Sequence, residues 1–316
     1  MVVNAGRVLI TGGSGFIGAA LSRRLVAEGR AVRAAVRSAA KCARLPQGVS
    51  AVIVPEVGPQ TDWSEALDGV ADVVHLAARV HAPHDSGRGS QESYFRINIG
   101  GTARLARAAA DAGIRRLVLL STIKVHGEGG LNPYAETDRE APRGPYAVSK
   151  LEAENALREI ARRSRLEAVV LRPPLVYGPG VGANFLRLIQ CVERRIPLPL
   201  ARVDNRRSLI FIENLVDAIL ACLDVEKAAG RTYLVADAES PSTPQLITRI
   251  AGFLGVAPRL FSFPPSLLRL AAALISQAQE ADRLLGSLAA DTTRIQRELQ
   301  WRPTHSLSEA LDATIA

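Results

Sequence analysis

Cysteines, aromatic residues and long apolar runs are all scarce in this sequence of 316 residues. The three cysteines, Cys42, Cys191 and Cys222, are odd in number, far apart and without CxxC spacing, which argues against a disulfide framework and a metal site. Each reads as a small core residue, which suits a reducing cytoplasm. Aromatic residues make up only 4% of the chain, and the formal charge of +8 comes mostly from arginine spread along it. A nucleic-acid surface needs clustered basic side chains with stacking rings among them, so no nucleic-acid partner is expected. The charge reads instead as a solvated basic surface, sharpened by an anionic ligand. The longest late apolar run, PSLLRLAAALI, is far short of a membrane span and carries Arg269 within it. RVLITGG follows Met1 almost at once, so no export signal is expected ahead of the fold. These absences predict a cytoplasmic chain with no membrane partner, while 47% apolar residues supply a core for one large or two modest domains.

What is present alternates. RVLI (7–10) is followed by the helix-like AALSRRLVAEG, then come AVRAAV (31–36), VSAVIV (49–54), DVVHLAA (72–78), a helical TARLARAAADAG and RLVLLS (116–121). Continuous β-branched runs suggest strands covered on both faces, and the intervening helices suggest right-handed crossovers. The predicted class is α/β, a doubly wound parallel sheet of the Rossmann kind. A second long helix, about Ser149 to Arg163, leads into EAVVLRPP. Beyond it the texture loosens into YGPGVGANF, RRIPLPLARVDNRRS and SPSTPQL. We therefore expect a Rossmann domain over 1–172 and a smaller mixed domain over 173–316, with a segment near 208–224 returning to the main sheet.

ITGGSGFIG places Gly12, Gly15 and Gly18 directly after the first strand and opens a helix with Phe16 and Ile17. Glycines there permit a tight turn and close approach to a pyrophosphate, while free amides at the helix start face the negative charge. The end of the second strand distinguishes the two dinucleotides, since a carboxylate binds ribose hydroxyls and a basic residue accepts a 2′-phosphate. Here stand Arg37, Ser38 and Lys41 with no acid, which favours NADP(H) over NAD(H).

PYAVSK supplies Tyr146 and Lys150 near the start of a helix, on one face at i, i+4 spacing. An adjacent ammonium favours a phenolate and brings a tyrosine's proton transfer into range, so this pair suits acid–base work on a carbinol oxygen. A hydroxyl from a neighbouring strand end would complete that oxygen's hydrogen bonds.

With these motifs in order, the chain resembles the extended short-chain dehydrogenase/reductase superfamily, in particular its nucleotide-sugar epimerases, dehydratases and reductases. Gly12, Gly15 and Gly18 match the dinucleotide turn, HLAA (75–78) the strand end flanking the cofactor, and Asn98 the helix asparagine. Thr122 falls at the Ser/Thr of the catalytic set, Tyr146 and Lys150 at its acid–base pair, and RPPLVYGPG (172–180) at the segment beside the nicotinamide. The resemblance implies cofactor contacts from Phe16, Ile17, Arg37, Leu76, Ala77, Ala78, Asn98, Tyr146, Lys150 and Pro173. It also gives the second half the task of gripping a UDP-sugar or another nucleoside-diphosphate sugar. Asn184 and Phe185 stand where that grip begins, Leu198 in IPLPL beside the base, and Arg207 and Arg283 near the phosphates, as the arginine fork suits. Lys124 is a further candidate substrate contact, and a homodimer is implied. His81 and His84 lie in a polar loop with no ligand spacing, and His126 reads as packing where relatives often carry tyrosine.

The residues after Thr122 discriminate among reactions. The 4,6-dehydratases carry Asp-Glu there, whereas this chain has Ile123 and Lys124, which disfavours dehydration. Reduction of a 4-keto sugar and epimerisation at C4 both remain, using the same residues. The missing acid after the second strand favours the reductase, most of all on a UDP-4-keto-6-deoxy-hexosamine. The alternatives are a UDP-hexose 4-epimerase with tightly held NAD, and a non-catalytic dinucleotide sensor, which would be expected to lack Tyr146 or Lys150.

Overall fold

The computed structural model describes residues 6–80, 88–130, 132–274, 282 and 284–316. Its strands are β1 (Arg7–Thr11), β2 (Val32–Val36), β3 (Val49–Ile53), β4 (Val70–His75), β5 (Arg116–Leu120), β6 (Glu167–Arg172), β7 (Leu175–Tyr177), β8 (Leu209–Phe211) and β9 (Thr232–Leu234). Seven of them form one parallel sheet in the order β3-β2-β1-β4-β5-β6-β9. The order reverses at β1, so a crevice opens at the carboxyl ends of β1 and β4, where ligands of such sheets bind.

Alternation along the central strands divides the core. Val8, Ile10, Val74, Val118 and Val169 face one apolar cluster with Leu21 and Leu25 of the Phe16–Ala27 helix and Leu215 and Ile219 of the Ile212–Asp224 helix. Leu9, Val73, Leu117, Leu119 and Val170 face the other, with Leu105, Ala106 and Leu157. The first cluster continues without a break into the second half of the chain through Phe185, Ile250 and Leu311.

The return of the 208–224 segment differs from expectation. β8 pairs in parallel with β7, in the register Leu175↔Leu209 and Tyr177↔Phe211, and not with the main sheet. It ends where the Asp237 carboxylate accepts the Phe211 amide at 3.0 Å and the chain turns directly into a helix. The helix Ile212–Asp224 does pack onto the main sheet, and β9 supplies the added strand beside β6.

Two irregularities shape the crevice. The helix Arg88–Tyr94 passes through a π-helical stretch, Phe95–Gly101, into the helix Thr102–Asp111. A Cβ at Gly101 would lie 2.7 Å from Val57 Cγ1, so this turn presses closely on the loop after β3. Elsewhere, Leu288 pairs with Arg206 and Ser208, and Ala289 and Asp291 pair with Tyr134. The late segment thereby ties the loop after β5 to the Arg206–Ser208 strand end.

Candidate active site

Thr11 ends β1 by accepting the Ala77 amide at 3.1 Å and meeting His75 Nδ1 at 2.6 Å. His75 Nε2 in turn lies 3.1 Å from Thr102 Oγ1. Burial pushes His75 down to about 3, and the Lys150 ammonium adds to the shift, so the ring is neutral and structural. This cross-link aligns the two chain segments that border the crevice, Gly12–Gly18 and Leu76–Ala78.

The glycine turn is built for close approach. Gly12 has φ +72°, and a Cβ there would meet the Ala77 amide nitrogen at 3.1 Å. A Cβ at Gly18 would lie 2.3 Å from the Gly12 carbonyl oxygen and 2.7 Å from Gly13 Cα, so helix and turn touch backbone to backbone. At Gly15 only the Gly12 oxygen, at 3.1 Å, lies within 4 Å of such an atom, which leaves that side open. Gly15 caps the Phe16–Ala27 helix without a side-chain hydrogen bond, and no acid stands in its first turn. The amides that begin this helix, at residues Phe16 and Ile17, thus fit a dinucleotide pyrophosphate. Arg37 is exposed just past the end of β2. Leu76 packs against the core, and Ala77 and Ala78 follow β4 as irregular chain bordering the crevice.

At the end of β5, three consecutive residues are gripped in different ways. Lys150 Nζ donates to the Leu120 carbonyl at 2.6 Å, Ser121 Oγ donates to Glu154, and Thr122 Oγ1 accepts the Lys124 amide at 3.3 Å. Tyr146, Lys150 and Glu154 lie on the Gly144–Arg162 helix, which begins earlier than the sequence pattern suggested because Gly144 and Pro145 start it. Burial lowers Lys150 to about 8 while Glu154 opposes the shift. The packed surroundings of Tyr146 push its phenol up to about 12, with Tyr94 adding to the effect. The expected phenolate is therefore not the form present in the protein alone. Pro173 is buried, and its carbonyl accepts the Ile123 amide at 2.9 Å, joining the end of β6 to this corner.

Several expected contacts are placed differently. Both amide protons of Asn98 are engaged, with the Arg79 carbonyl at 3.1 Å and Ser149 Oγ at 2.9 Å, and its Oδ1 accepts the Arg79 amide at 2.8 Å. Its amide therefore binds the loop after β4 to the Tyr146 helix, and its N–H groups are not available to a ligand. Phe185 is a core ring stacked on Tyr177 with centroids 5.1 Å apart, so its side chain does not line the crevice, whereas Asn184 beside it is exposed. Leu198 pairs with the 259–261 segment and packs against the core. Lys124 Nζ bonds both oxygens of Glu128 at 3.0 and 3.1 Å. Arg207 is partly buried and donates to the Gly286 carbonyl at 3.2 Å. Arg283, His81 and His84 lie outside the described residues.

Sequence reasoning missed the buried charges beneath these groups. Arg172, at the end of β6, donates to Glu154 at 2.6 Å, to Glu140 at 2.9 Å and to His126 Nε2 at 2.7 Å. The signal was there in two places: an acid one turn beyond Lys150, and an arginine following the apolar run Ala168–Leu171 of β6. His126 is buried and stacks on Tyr134 at 5.3 Å, in line with a packing role.

Comparison with known proteins agrees with this geometry. The sequence model of the NAD dependent epimerase/dehydratase family matches residues 8–236. A UDP-glucose 4-epimerase of Vibrio cholerae is 36% identical over 310 residues, covering 97% of this chain and 94% of that protein. The solved structure of MoeE5 in complex with UDP-glucose and NAD is 27% identical, with a TM-score of 0.79 over 98% of this chain and 97% of that one. The UDP-glucuronic acid 4-epimerase from Bacillus cereus, solved with UDP-glucuronic acid and NAD, shares the fold at 23% identity and a TM-score of 0.80, covering 98% of each chain. The chain belongs to the NAD dependent epimerase/dehydratase family, within the extended short-chain dehydrogenase/reductases.

Proposed function

We propose that this member of the NAD dependent epimerase/dehydratase family is a cytoplasmic nucleotide-sugar 4-keto reductase, acting as a homodimer on a UDP-4-keto-6-deoxy-hexosamine. The observation that carries this reading is the exposed Arg37 after β2, with no acid from Val32 to Cys42. A guanidinium there suits the 2′-phosphate of NADP(H), and an exchangeable phosphorylated cofactor suits net reduction. The relatives' solved complexes contain NAD, and the proposed preference for NADP(H) is argued from Arg37 alone.

Held by the Gly12–Gly18 turn and Arg37, a dinucleotide would supply the hydride. Tyr146 keeps its proton at neutral pH and is placed to give it to the carbonyl oxygen at C4 as negative charge develops there. Lys150 holds a positive charge beside it that stabilises the phenolate left once the proton has been given up, and Tyr146 then regains a proton from solvent. Thr122 offers the same oxygen a hydrogen bond, and its side chain is kept near the surface of the crevice by capping the short helix Ile123–His126. Asn184, Arg207 and Lys124 are the residues we assign to the nucleoside diphosphate and sugar, with cofactor binding assigned to 1–172 and substrate binding to 173–316.

A second reading, a UDP-hexose 4-epimerase, is favoured by the Vibrio cholerae relative. One experiment separates the two. Purified protein is mixed with UDP-4-keto-6-deoxy-N-acetylglucosamine and NADPH or NADH, and absorbance at the nicotinamide band is followed. Stoichiometric cofactor consumption is expected; interconversion of UDP-glucose and UDP-galactose without consumption establishes the epimerase instead.

A further inference from the structure

The mechanism leaves unused a fully buried carboxylate one helical turn from Lys150. Glu154 is 0% exposed, yet it is surrounded by donors from three elements. Ser121 Oγ reaches it from the end of β5, Arg172 reaches it from β6 through Nε at 3.1 and 3.2 Å and Nη2 at 2.6 Å, and Arg158 of its own helix reaches it at 2.7 Å. Arg158 also donates to Thr232 on β9 at 3.1 Å. Lys150 and Glu154 therefore grip consecutive residues of one strand end with opposite polarity: the ammonium holds the Leu120 carbonyl, and the carboxylate holds the Ser121 hydroxyl. Thr122 is the next residue.

We propose that Glu154 is a positioning residue, whose carboxylate clamps the end of β5 to the Tyr146–Lys150 helix and so sets Thr122 against that pair. The proposal rests on the reading that these three residues perform the chemistry. A carboxylate serving only to neutralise Arg172 would not need Ser121, and Glu140 already pairs with that arginine at 2.9 Å. The charged and titratable groups around Glu154 and Lys150 are Arg172, Arg158, Glu140, His126, His75 and Tyr146. Without Glu154, Lys150, Arg158 and Arg172 would face one another with Glu140 alone to balance them, and the ammonium would lose the one group that opposes its desolvation.

The chain has only four lysines, Lys41, Lys124, Lys150 and Lys227, so the ε-carbons of the full-length protein labelled with ¹³C-lysine give an assignable titration, with Lys150→Arg identifying its signal. In Glu154→Gln, which retains shape and loses charge, the Lys150 midpoint is expected to fall by about one pH unit or more, a roughly tenfold change in its ionisation constant. The alkaline limb of kcat moves down with it, while the KM for the nicotinamide cofactor stays within about threefold. Ser121→Ala is expected to lower kcat several-fold with no movement of the Lys150 midpoint. A folded Glu154→Gln protein with the wild-type midpoint overturns the proposal, as does Ser121→Ala with wild-type kcat. Should Glu154→Gln not fold, Glu154→Asp decides: a retracted carboxylate keeps the charge but not the reach, so unchanged kcat overturns the clamp and a lowered kcat at an unchanged Lys150 midpoint supports it. The titration needs no sugar substrate, so failure of the proposed reaction leaves the Glu154–Lys150 relation separately readable.

Discussion

The ring of Tyr94 meets that of Tyr146 edge to face, with 6.3 Å between centroids and 66° between planes. Tyr94 is buried at the end of the helix that leads into the π-helical stretch, and Arg79 lies over its ring at 5.7 Å. The aromatic contact thus links the loop after β4 to the proposed proton donor, and such a pair contributes roughly 0.5–1.5 kcal/mol beyond area burial.

Tyr146→Phe keeps that ring contact and removes only the hydroxyl. Its kcat is expected to fall by about 10²- to 10⁴-fold, the range for loss of a positioned proton donor. Affinity for the nicotinamide cofactor, measured by fluorescence quenching, stays at the wild-type value. A fully active variant would refute the assignment of Tyr146.

Two alanine substitutions in the glycine turn are expected to separate folding from binding. In Gly18→Ala the added methyl meets backbone atoms of Gly12 and Gly13 at 2.3 to 3.0 Å, which cannot yield without opening the turn. A loss of about 1–3 kcal/mol in denaturant melts follows. In Gly15→Ala the backbone, at φ −83° and ψ 175°, accepts a side chain, and the methyl meets a single atom, the Gly12 carbonyl oxygen at 3.1 Å. Stability should fall less than in Gly18→Ala while cofactor affinity drops; equal losses of both in the two variants would contradict the pyrophosphate site.

Arg37→Glu tests the dinucleotide preference. Losing a charge-assisted hydrogen bond to a 2′-phosphate costs about 1.5–3 kcal/mol, or roughly 10- to 100-fold in the KM for NADPH. The KM for NADH should stay level or fall. Equal effects on both cofactors would remove Arg37 from the site.

His75 makes the fold sensitive to acid. Its folded value near 3 lies below the ordinary value of 6.5, so between these limits the unfolded chain binds a proton that the native protein refuses. Stability contributed by the neutral ring is complete above pH 6.5 and is lost progressively as the pH falls toward 3. At pH 4.5 the loss relative to pH 7 is about 2–3 kcal/mol from this residue. Urea melts of the protein and of His75→Asn at the two pH values should show a steeper decline in the parent; parallel slopes would remove His75 as the cause.

Local pattern was enough to read the alternation of β1 to β6 with helices, the glycine turn after β1, and Tyr146 and Lys150 on one helical face. Each of these depends on spacing within a single element, where backbone period alone decides which residues share a side. Arg37 was legible for the same reason, as the residue where a buried strand meets solvent. The tertiary structure alone decided that β8 joins β7, that Phe185 belongs to the core, and that Asn98 bonds Arg79 and Ser149. It also brought Ser121, Glu154 and Arg172 together from β5, the Gly144–Arg162 helix and β6. A buried charge must find its counter-charge wherever the packed chain provides one, and that partner is chosen by the stacking of elements far apart in sequence.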